Sequence, residues 1–306
     1  MKNIMINEKV VPAIAQGCMR FAGMDVEAVE KIIENDLANG ITFFDHADIY
    51  GGGECESLFG EALKKHPDWR QKMIIQTKCG IHRDDTTYYD FDKDYIIKCV
   101  NESLERLHVE YVDYLLLHRP DALMEPRSVS EAFDELYETG KVLHFGVSNH
   151  NTYQLKLLRK YCHCPIEINQ MQFSLKHTGM IDAALNANTL EDRAIDRDGS
   201  ILDYCRIHNI TIQCWSPFQY GMFEGTYLDA SIFPELNKKI DELANKYNVS
   251  NSVIAIAWIL RHPSDMQVVV GTTNIDRLKA LSNAGDIVLT KKEWYALYIA
   301  AGNLLP

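Results

Sequence analysis

The sequence predicts a closed parallel (β/α)8 barrel in a single domain. Three observations carry that reading. Short apolar runs alternate with amphipathic helical patterns along nearly the whole chain, which is the signature of parallel α/β architecture. Eight such runs occur, which favours closure over an open sheet. Several runs end in chemically useful residues: Asp45 and Tyr50, then Lys78, then His118. In a parallel barrel the C-terminal strand ends meet at one mouth.

The elements follow in order. Strands are read near 13–18, 41–45, 72–77, 112–117, 142–147, 166–170, 210–214 and 267–271. Asp25 caps a helix from about 26 to 39 that stops at Asn39-Gly40. Further helices are expected at Glu54–Lys65, Lys93–Leu107, Ser128–Thr139 before Gly140, and Thr152–Tyr161. Two irregularities interrupt the alternation. Residues 174–199 make a long connection after strand six, with MIDAALNA as a short helix and EDRAIDRDG as a loop. Connections this long are commonly lids or binding loops. Two helical patterns, 235–247 and 250–261, precede the last strand, so one helix is extra.

Composition agrees. A chain of 306 residues suits one barrel, and 46% hydrophobic with 24% charged residues is ordinary for a globular protein. Net charge is −12 with no basic run, which argues against nucleic acid and anionic membrane surfaces as partners. No apolar run reaches the roughly 18 residues that span a bilayer. MKNIMINEKV lacks the apolar core of a signal peptide. Of the eight cysteines, Cys79 lies just past a strand end and Cys99, Cys205 and Cys214 lie in apolar stretches, where a thiol acts as a small hydrophobe. Cys162 and Cys164 form a CxC with no second motif to complete a zinc pattern. The expectation is a reduced, cytoplasmic setting, no structural metal, and an oligomeric state the sequence leaves open.

The four mouth residues suit one chemistry. A free tyrosine has a pKa of roughly 10. A neighbouring ammonium favours its phenolate, so Lys78 is expected to make Tyr50 a better acid. Asp45 supplies the partner a buried ammonium needs, and His118 can hydrogen-bond the reacting oxygen. General acid catalysis contributes about 100- to 10,000-fold. The set has no nucleophile of its own, so the attacking species is expected to be a hydride from a cofactor. Each residue also has an ordinary reading: rim aromatic, solvated charge, strand terminator, turn cap. Their coincidence at successive strand ends outweighs it. Asp45, His46 and Asp48 also prompt a metal-dependent hydrolase, but they fall on different faces or in the loop, against a shared ion.

There is no GxGxxG and no GxxxxGK[ST], so the usual dinucleotide and P-loop cradles are absent. Ser148 and Asn149 end strand five, and Asn169 and Gln170 end strand six; such side chains suit a carboxamide. Trp215 ends strand seven with a face for ring stacking. After strand eight, Gly271 permits close backbone approach, Thr272 and Thr273 offer hydroxyls, Asn274 caps the next helix, and Arg277 suits a 2′-phosphate. That favours NADPH over NADH.

The chain resembles the aldo-keto reductases. DHADIYGGGECESLFGEAL is similar to the family's Asp-and-Tyr segment, TKCG to its lysine segment, LLLHRPD to its histidine segment, and GKVLHFGVSNH to its strand-five signature. The similarity runs from about Gly17 to Arg277. It implies a TIM barrel with an extra helix before strand eight, NADPH as cofactor, and a small aldehyde or ketone as substrate. It implies Tyr50 as the acid, Lys78 and Asp45 as its tuning pair, and His118 as the group that orients the carbonyl. It assigns Gly17, Cys18, Met19, Ser148, Asn149, Gln170, Trp215, Ser216, Phe218, Gly221, Gly271, Thr272, Thr273 and Arg277 to the cofactor. The chain departs from the better-known reductases at Gly271, where they often carry lysine, and at or beside Leu281, where they often carry asparagine. SPFQYG also departs from a more glycine-rich form. Potassium-channel β subunits share the four mouth residues, so a non-enzymatic NADP(H) sensor or regulatory subunit is the alternative. Met19, Phe21, Tyr88, Tyr89 and Phe91 are candidates for an apolar substrate pocket, with ordinary loop packing as an equal alternative. No arginine stands out as a dedicated carboxylate or phosphate reader; Arg20 and Arg119 are the candidates, and Arg119, before Pro120, also fits a strand-end flank.

Overall fold

The computed structural model describes residues 1–83 and 85–306. Among the described residues fourteen strands run in chain order. They are β1 (Asn3–Ile6), β2 (Lys9–Pro12), β3 (Ile14–Gly17), β4 (Phe43–Asp45), β5 (Ile74–Cys79), β6 (Ile81–Arg83), β7 (Thr87–Tyr89), β8 (Val112–Leu117), β9 (Val142–Ser148), β10 (Ile166–Gln172), β11 (Thr211–Trp215), β12 (Gln219–Tyr220), β13 (Gly225–Thr226) and β14 (Gln267–Val270). Eight of them, in the order β3-β4-β5-β8-β9-β10-β11-β14, close into a parallel barrel. The expected fold is the observed one. VDYLLL in β8 is buried at every position, as a strand covered on both faces must be.

The helices are α1 (Val26–Ala38), α2 (Glu54–Lys65), α3 (Lys93–Leu107), α4 (Pro126–Glu138), α5 (Thr152–Tyr161), α6 (Gly179–Leu185), α7 (Ile201–Ile207), α8 (Pro234–Tyr247), α9 (Asn251–Leu260), α10 (Ile275–Leu281) and α11 (Lys291–Ala300). Asp25 caps α1 by accepting from the Ala28 amide at 2.7 Å, and Val29, Ile32 and Ile33 form its buried stripe. The pair before the last strand is α8 and α9. The second is apolar from Val253 onward and buried from Ser252 to Leu260; its Trp258 stacks on Trp294 of α11 at 4.9 Å, and each indole N–H donates to the other's backbone carbonyl. Gly60 in α2 lets two helices touch, since a Cβ there would sit 2.1 Å from the Arg106 carbonyl oxygen in α3. Among the described residues no helix is long and apolar enough to cross a membrane.

Three boundaries moved for local reasons. The second expected strand starts late because the Ile41 amide bonds back to Asp36 O at the end of α1. The third starts late because Pro67–Lys72 forms a 3-10 turn. The helix expected from Ser128 starts at Pro126, whose fixed φ suits the first helical position.

The small hairpins β6–β7 and β12–β13 were not anticipated, nor were two further features. The first is the antiparallel hairpin β1–β2, turning at Asn7 with φ 51°. It crosses the N-terminal strand ends: Lys9 pairs with Asp113 at the start of β8 at 2.9 Å, and Asn7 donates to Glu167 at the start of β10. It therefore closes the floor and leaves one open mouth. The second is α7, whose seven residues make about two turns, too few for a sustained apolar stripe to stand out in the sequence. The long connection after β10 carries α6 and a short turn at Asp192–Ala194, and it is tied to the C-terminal tail. Tyr298 donates to Asp182 at 2.6 Å, Lys176 to Ala301 O at 2.7 Å, and Arg193 to Asn303.

Candidate active site

The C-terminal ends of the barrel strands open into one cavity of about 930 Å³. Asp45 from β4, Tyr50, His118 after β8, Ser148, Gln170 and Trp215 all line it, with Lys78 buried directly beneath. The chain reaches Tyr50 by running beside β5, with the His46 amide on Gln76 O and the Asp48 amide on Lys78 O. It then turns sharply through Gly51, Gly52 and Gly53, whose φ values are 59°, 65° and 96°. Only glycine takes three such angles in succession without strain, so this triplet sets where the phenol points.

Lys78 is wholly buried, and its ammonium has three partners. It lies 2.7 Å from Asp45 Oδ1, and donates to His46 O at 2.7 Å and to the Tyr50 hydroxyl at 3.1 Å. An ammonium has three hydrogens, so its donors are all used. Burial works against the charge, but Asp45 and Tyr50 outweigh it and hold Lys78 above its ordinary pKa. Tyr50 differs from expectation. Burial is the largest influence and pushes the phenol above 10, with Lys78 opposing and Asp45 assisting. The sequence argument counted the cation and not the desolvation. The consequence suits a proton donor: the phenol is protonated at neutral pH and already touches the cation that would stabilise its conjugate base.

His118 meets Tyr50 edge-on at 5.9 Å between ring centroids. Burial, then the charges of Lys78, Arg119 and Arg83, hold it well below its ordinary pKa, so the imidazole is neutral. His46 has no part in the mouth. It packs edge-on against Phe59 at 4.5 Å, and burial with Lys78 pushes it down to about 3. Burial and Glu56 push Asp48 up to about 7. Among the described residues no three His, Cys, Asp or Glu side chains are grouped to hold a metal ion.

A chain of buried amides runs from the mouth to the floor. Gln76 and Gln170 both donate to Asp45 Oδ1, at 2.5 and 3.0 Å. Both also donate to Gln213 Oε1, at 2.9 and 3.0 Å. Gln213 donates to Gln267 at 2.7 Å, and Gln267 to Pro12 O at the end of the hairpin. With Lys78, three donors converge on one carboxylate oxygen, so Asp45 has one orientation. Sequence reasoning named Gln170 alone. The available signal was a glutamine inside each of three apolar strands, at 76, 213 and 267, since a buried amide in a strand needs a partner.

Most of the expected cofactor positions border the cavity: Gly17, Met19, Ser148, Asn149, Gln170, Trp215, Ser216, Phe218, Gly271, Thr272 and Arg277. Three do not. Cys18 is fully buried, with its thiol on Gln16 O. Gly221 turns at φ 58° and gives its carbonyl to Gln172. Thr273 is outside the lining, although Thr272 is in it. Ser148, Asn149 and Trp215 are linked: the Trp215 indole donates to Asn149 Oδ1 at 3.1 Å, Asn149 to Ser148 Oγ at 2.7 Å, and Ser148 to Gln170 O at 3.0 Å. Asn149 and Ser216 hold φ of 59° and 52°, in the left-handed region that costs a non-glycine residue some strain. Asn169 turns away, donating to His150 O.

The apolar pocket differs from the one expected. Phe21 and Phe91 are core residues, 0 and 1% exposed, and Tyr88 and Tyr89 stand out in solvent on the β6–β7 hairpin. Of that group only Met19 borders the cavity; its apolar wall comes instead from Ile49, Ile81, Phe218 and Phe223. Arg83, not singled out in the sequence, joins Arg20 and Arg119 in the lining.

A model of the Aldo/keto reductase family matches residues 13–300. The chain is 34% identical over 285 residues to Oxidoreductase YdhF of Escherichia coli (strain K12), covering 91% of this chain and 89% of that protein. It is 32% identical over 314 residues to a 6-dehydroglucose reductase of Agrobacterium fabrum, covering 98% of each. The crystal structure of an aldo-keto reductase from Klebsiella pneumoniae in complex with NADPH superposes with a TM-score of 0.76 at 23% identity, covering 97% of this chain and 93% of that one. The chain belongs to the aldo/keto reductase family of oxidoreductases.

Proposed function

We propose that the protein reduces an aldehyde or ketone to an alcohol with NADPH, Tyr50 giving the proton. The observation that carries this is the Tyr50 hydroxyl, held 3.1 Å from Lys78 Nζ and facing a cavity it shares with His118. A carbonyl oxygen between Tyr50 and His118 meets one O–H donor and one neutral imidazole. As negative charge develops on that oxygen, the phenol releases its proton to it, and the Lys78–Asp45 pair stabilises the phenolate left behind.

The cavity fits a nicotinamide cofactor, which when bound supplies the hydride. Gln170, whose two N–H groups are held by Asp45 and Gln213, offers its Oε1 to a carboxamide; Asn149 offers its second N–H, and Trp215 a ring face. A Cβ built on Gly271 meets nothing within 4 Å, so that stretch of rim is open to a bulky group. The Asn274 side chain caps α10 by accepting from the Arg277 amide at 2.9 Å. That leaves the exposed Arg277 guanidinium as the group to read a 2′-phosphate. A charge-assisted contact of this kind corresponds to about a 10- to 150-fold preference, with solvent exposure placing it near the low end. The expected outcome for Arg277→Ala is therefore a roughly tenfold loss of NADPH affinity with NADH affinity nearly constant. Tryptophan fluorescence titrations with both cofactors check this. Equal affinities in the wild type, or an unchanged ratio in the variant, would remove Arg277 from that role.

A reducing, cytoplasmic setting is part of this reading, supported by eight cysteines that are all free thiols. The experiment for the reading as a whole is NADPH oxidation with a panel of aldehydes and ketones. Cofactor binding with no turnover across the panel would favour the sensor alternative.

A further inference from the structure

We infer that the substrate carries an anionic group, a carboxylate or phosphate, and that Arg119 reads it; this rests on the reductase reading above. The chain is acidic, with 43 Asp and Glu against 31 Lys and Arg. The cavity wall is not. Arg83 and Arg119 line it beside Tyr50 and His118, and among the described residues neither makes an ion pair. The lining acids are Asp45, engaged by Lys78, and Asp229.

Arg119 is the better placed of the two. It is half-buried, and its guanidinium lies over the Trp215 ring at 5.5 Å. The ring face attracts the cation, and among the described residues no N–H of the fork has an acceptor. A partly desolvated guanidinium in that state gains most from an anion offered in the plane of the fork.

Barrel order separates this group from the cofactor's phosphates. Arg277 follows β14, and Arg119 follows β8, four strands away in an eight-stranded ring and so on the opposite side of the mouth. The side chain of Arg119 reaches across toward Trp215. Arg119, Asn149 and Trp215 also border a second cavity of about 680 Å³, under the connection after β10 and the C-terminal tail. Lys176, Arg193 and Arg197 line it. Its acids are largely engaged: Asp182 holds Arg193 at 3.4 Å and accepts from Tyr298, and Asp198 accepts from the Ile201 amide, with Asp192 beside them. Arg119 thus stands where the reacting centre opens into a lobe with more cations. A carbonyl held by Tyr50 and His118 would extend its anionic end past Arg119 into that lobe.

The test compares matched pairs at saturating NADPH: 4-carboxybenzaldehyde with methyl 4-formylbenzoate, and 4-oxobutanoate with its methyl ester. In the aromatic pair the ester withdraws electrons more strongly than the carboxylate, so intrinsic carbonyl reactivity works against the acid. The expected result is a kcat/KM preference of about tenfold or more for the acid in each pair, expressed mainly in KM. It should shrink as ionic strength rises, a comparison that needs no variant. Arg119→Met should lower the acid-to-ester ratio about tenfold, and Arg119→Lys should retain part of it. Esters reduced as well as acids by the wild type, or a ratio unmoved in a folded Arg119→Met protein, overturns the inference while leaving the reductase reading in place. No turnover with any carbonyl, neutral or charged, overturns both.

Discussion

Tyr50→Phe lowers carbonyl reduction by about 100-fold or more and leaves NADPH binding close to wild type. The variant keeps the ring that packs edge-on to His118 and removes only the hydroxyl. What is lost is the proton donor, and general acids contribute about 100- to 10,000-fold. Single-turnover rates and NADPH titrations on the same preparation check the two halves. The pH profile adds a further readout. Burial holds the phenol above its ordinary pKa, so a donor that must be protonated keeps the rate level through neutral pH and lets it fall only on the alkaline side. That alkaline fall should vanish from the residual activity of Tyr50→Phe. Turnover like the wild type would remove Tyr50 from the chemistry.

Lys78→Met abolishes turnover as well and costs more in stability. Among the described residues the ammonium is the only cation within hydrogen-bond distance of the Tyr50 oxygen, so none of them replaces it when the phenol loses its proton. The same change leaves Asp45 buried with two amides and no counter-charge. Breaking one side of a buried pair costs about 3–5 kcal/mol. Asp45→Asn should do less to turnover, because it acts on Tyr50 only through Lys78 and keeps an oxygen acceptor for its neighbours. Urea melts and kcat for both variants test the ordering. A folded Asp45→Asn protein more impaired in turnover than Lys78→Met would reverse it.

The mouth residues were legible because a parallel strand announces its end: an apolar run stops and a polar residue follows. Barrel closure then brings Asp45, Lys78, His118, Ser148 and Gln170 together with no further information. Contacts between strands that are not neighbours were not legible. The hydrogen bond from Gln213 to Gln267 and the stacking of Arg119 on Trp215 depend on side chains crossing the barrel, which a linear pattern does not encode. Loop aromatics were misjudged for a related reason. Phe91 and Tyr88 lie close in sequence, yet one fills the space beside Gly80 and the other faces solvent, a difference decided by the β6–β7 hairpin. The Tyr50 pKa was misjudged because desolvation belongs to the packed state, whereas a neighbouring charge can be guessed from residue type.

The central claim is that the mouth passes a hydride to a carbonyl carbon while Tyr50 protonates the oxygen. The most direct test uses NADPH carrying deuterium at the transferable C4 position, with mass spectrometry of the alcohol formed from whichever carbonyl in the panel turns over. The account predicts one carbon-bound deuterium in the alcohol, on the former carbonyl carbon, and a Tyr50→Phe protein that binds the labelled cofactor yet forms alcohol about 100-fold more slowly or less. Unlabelled alcohol, or cofactor binding with no alcohol from any carbonyl, would contradict it.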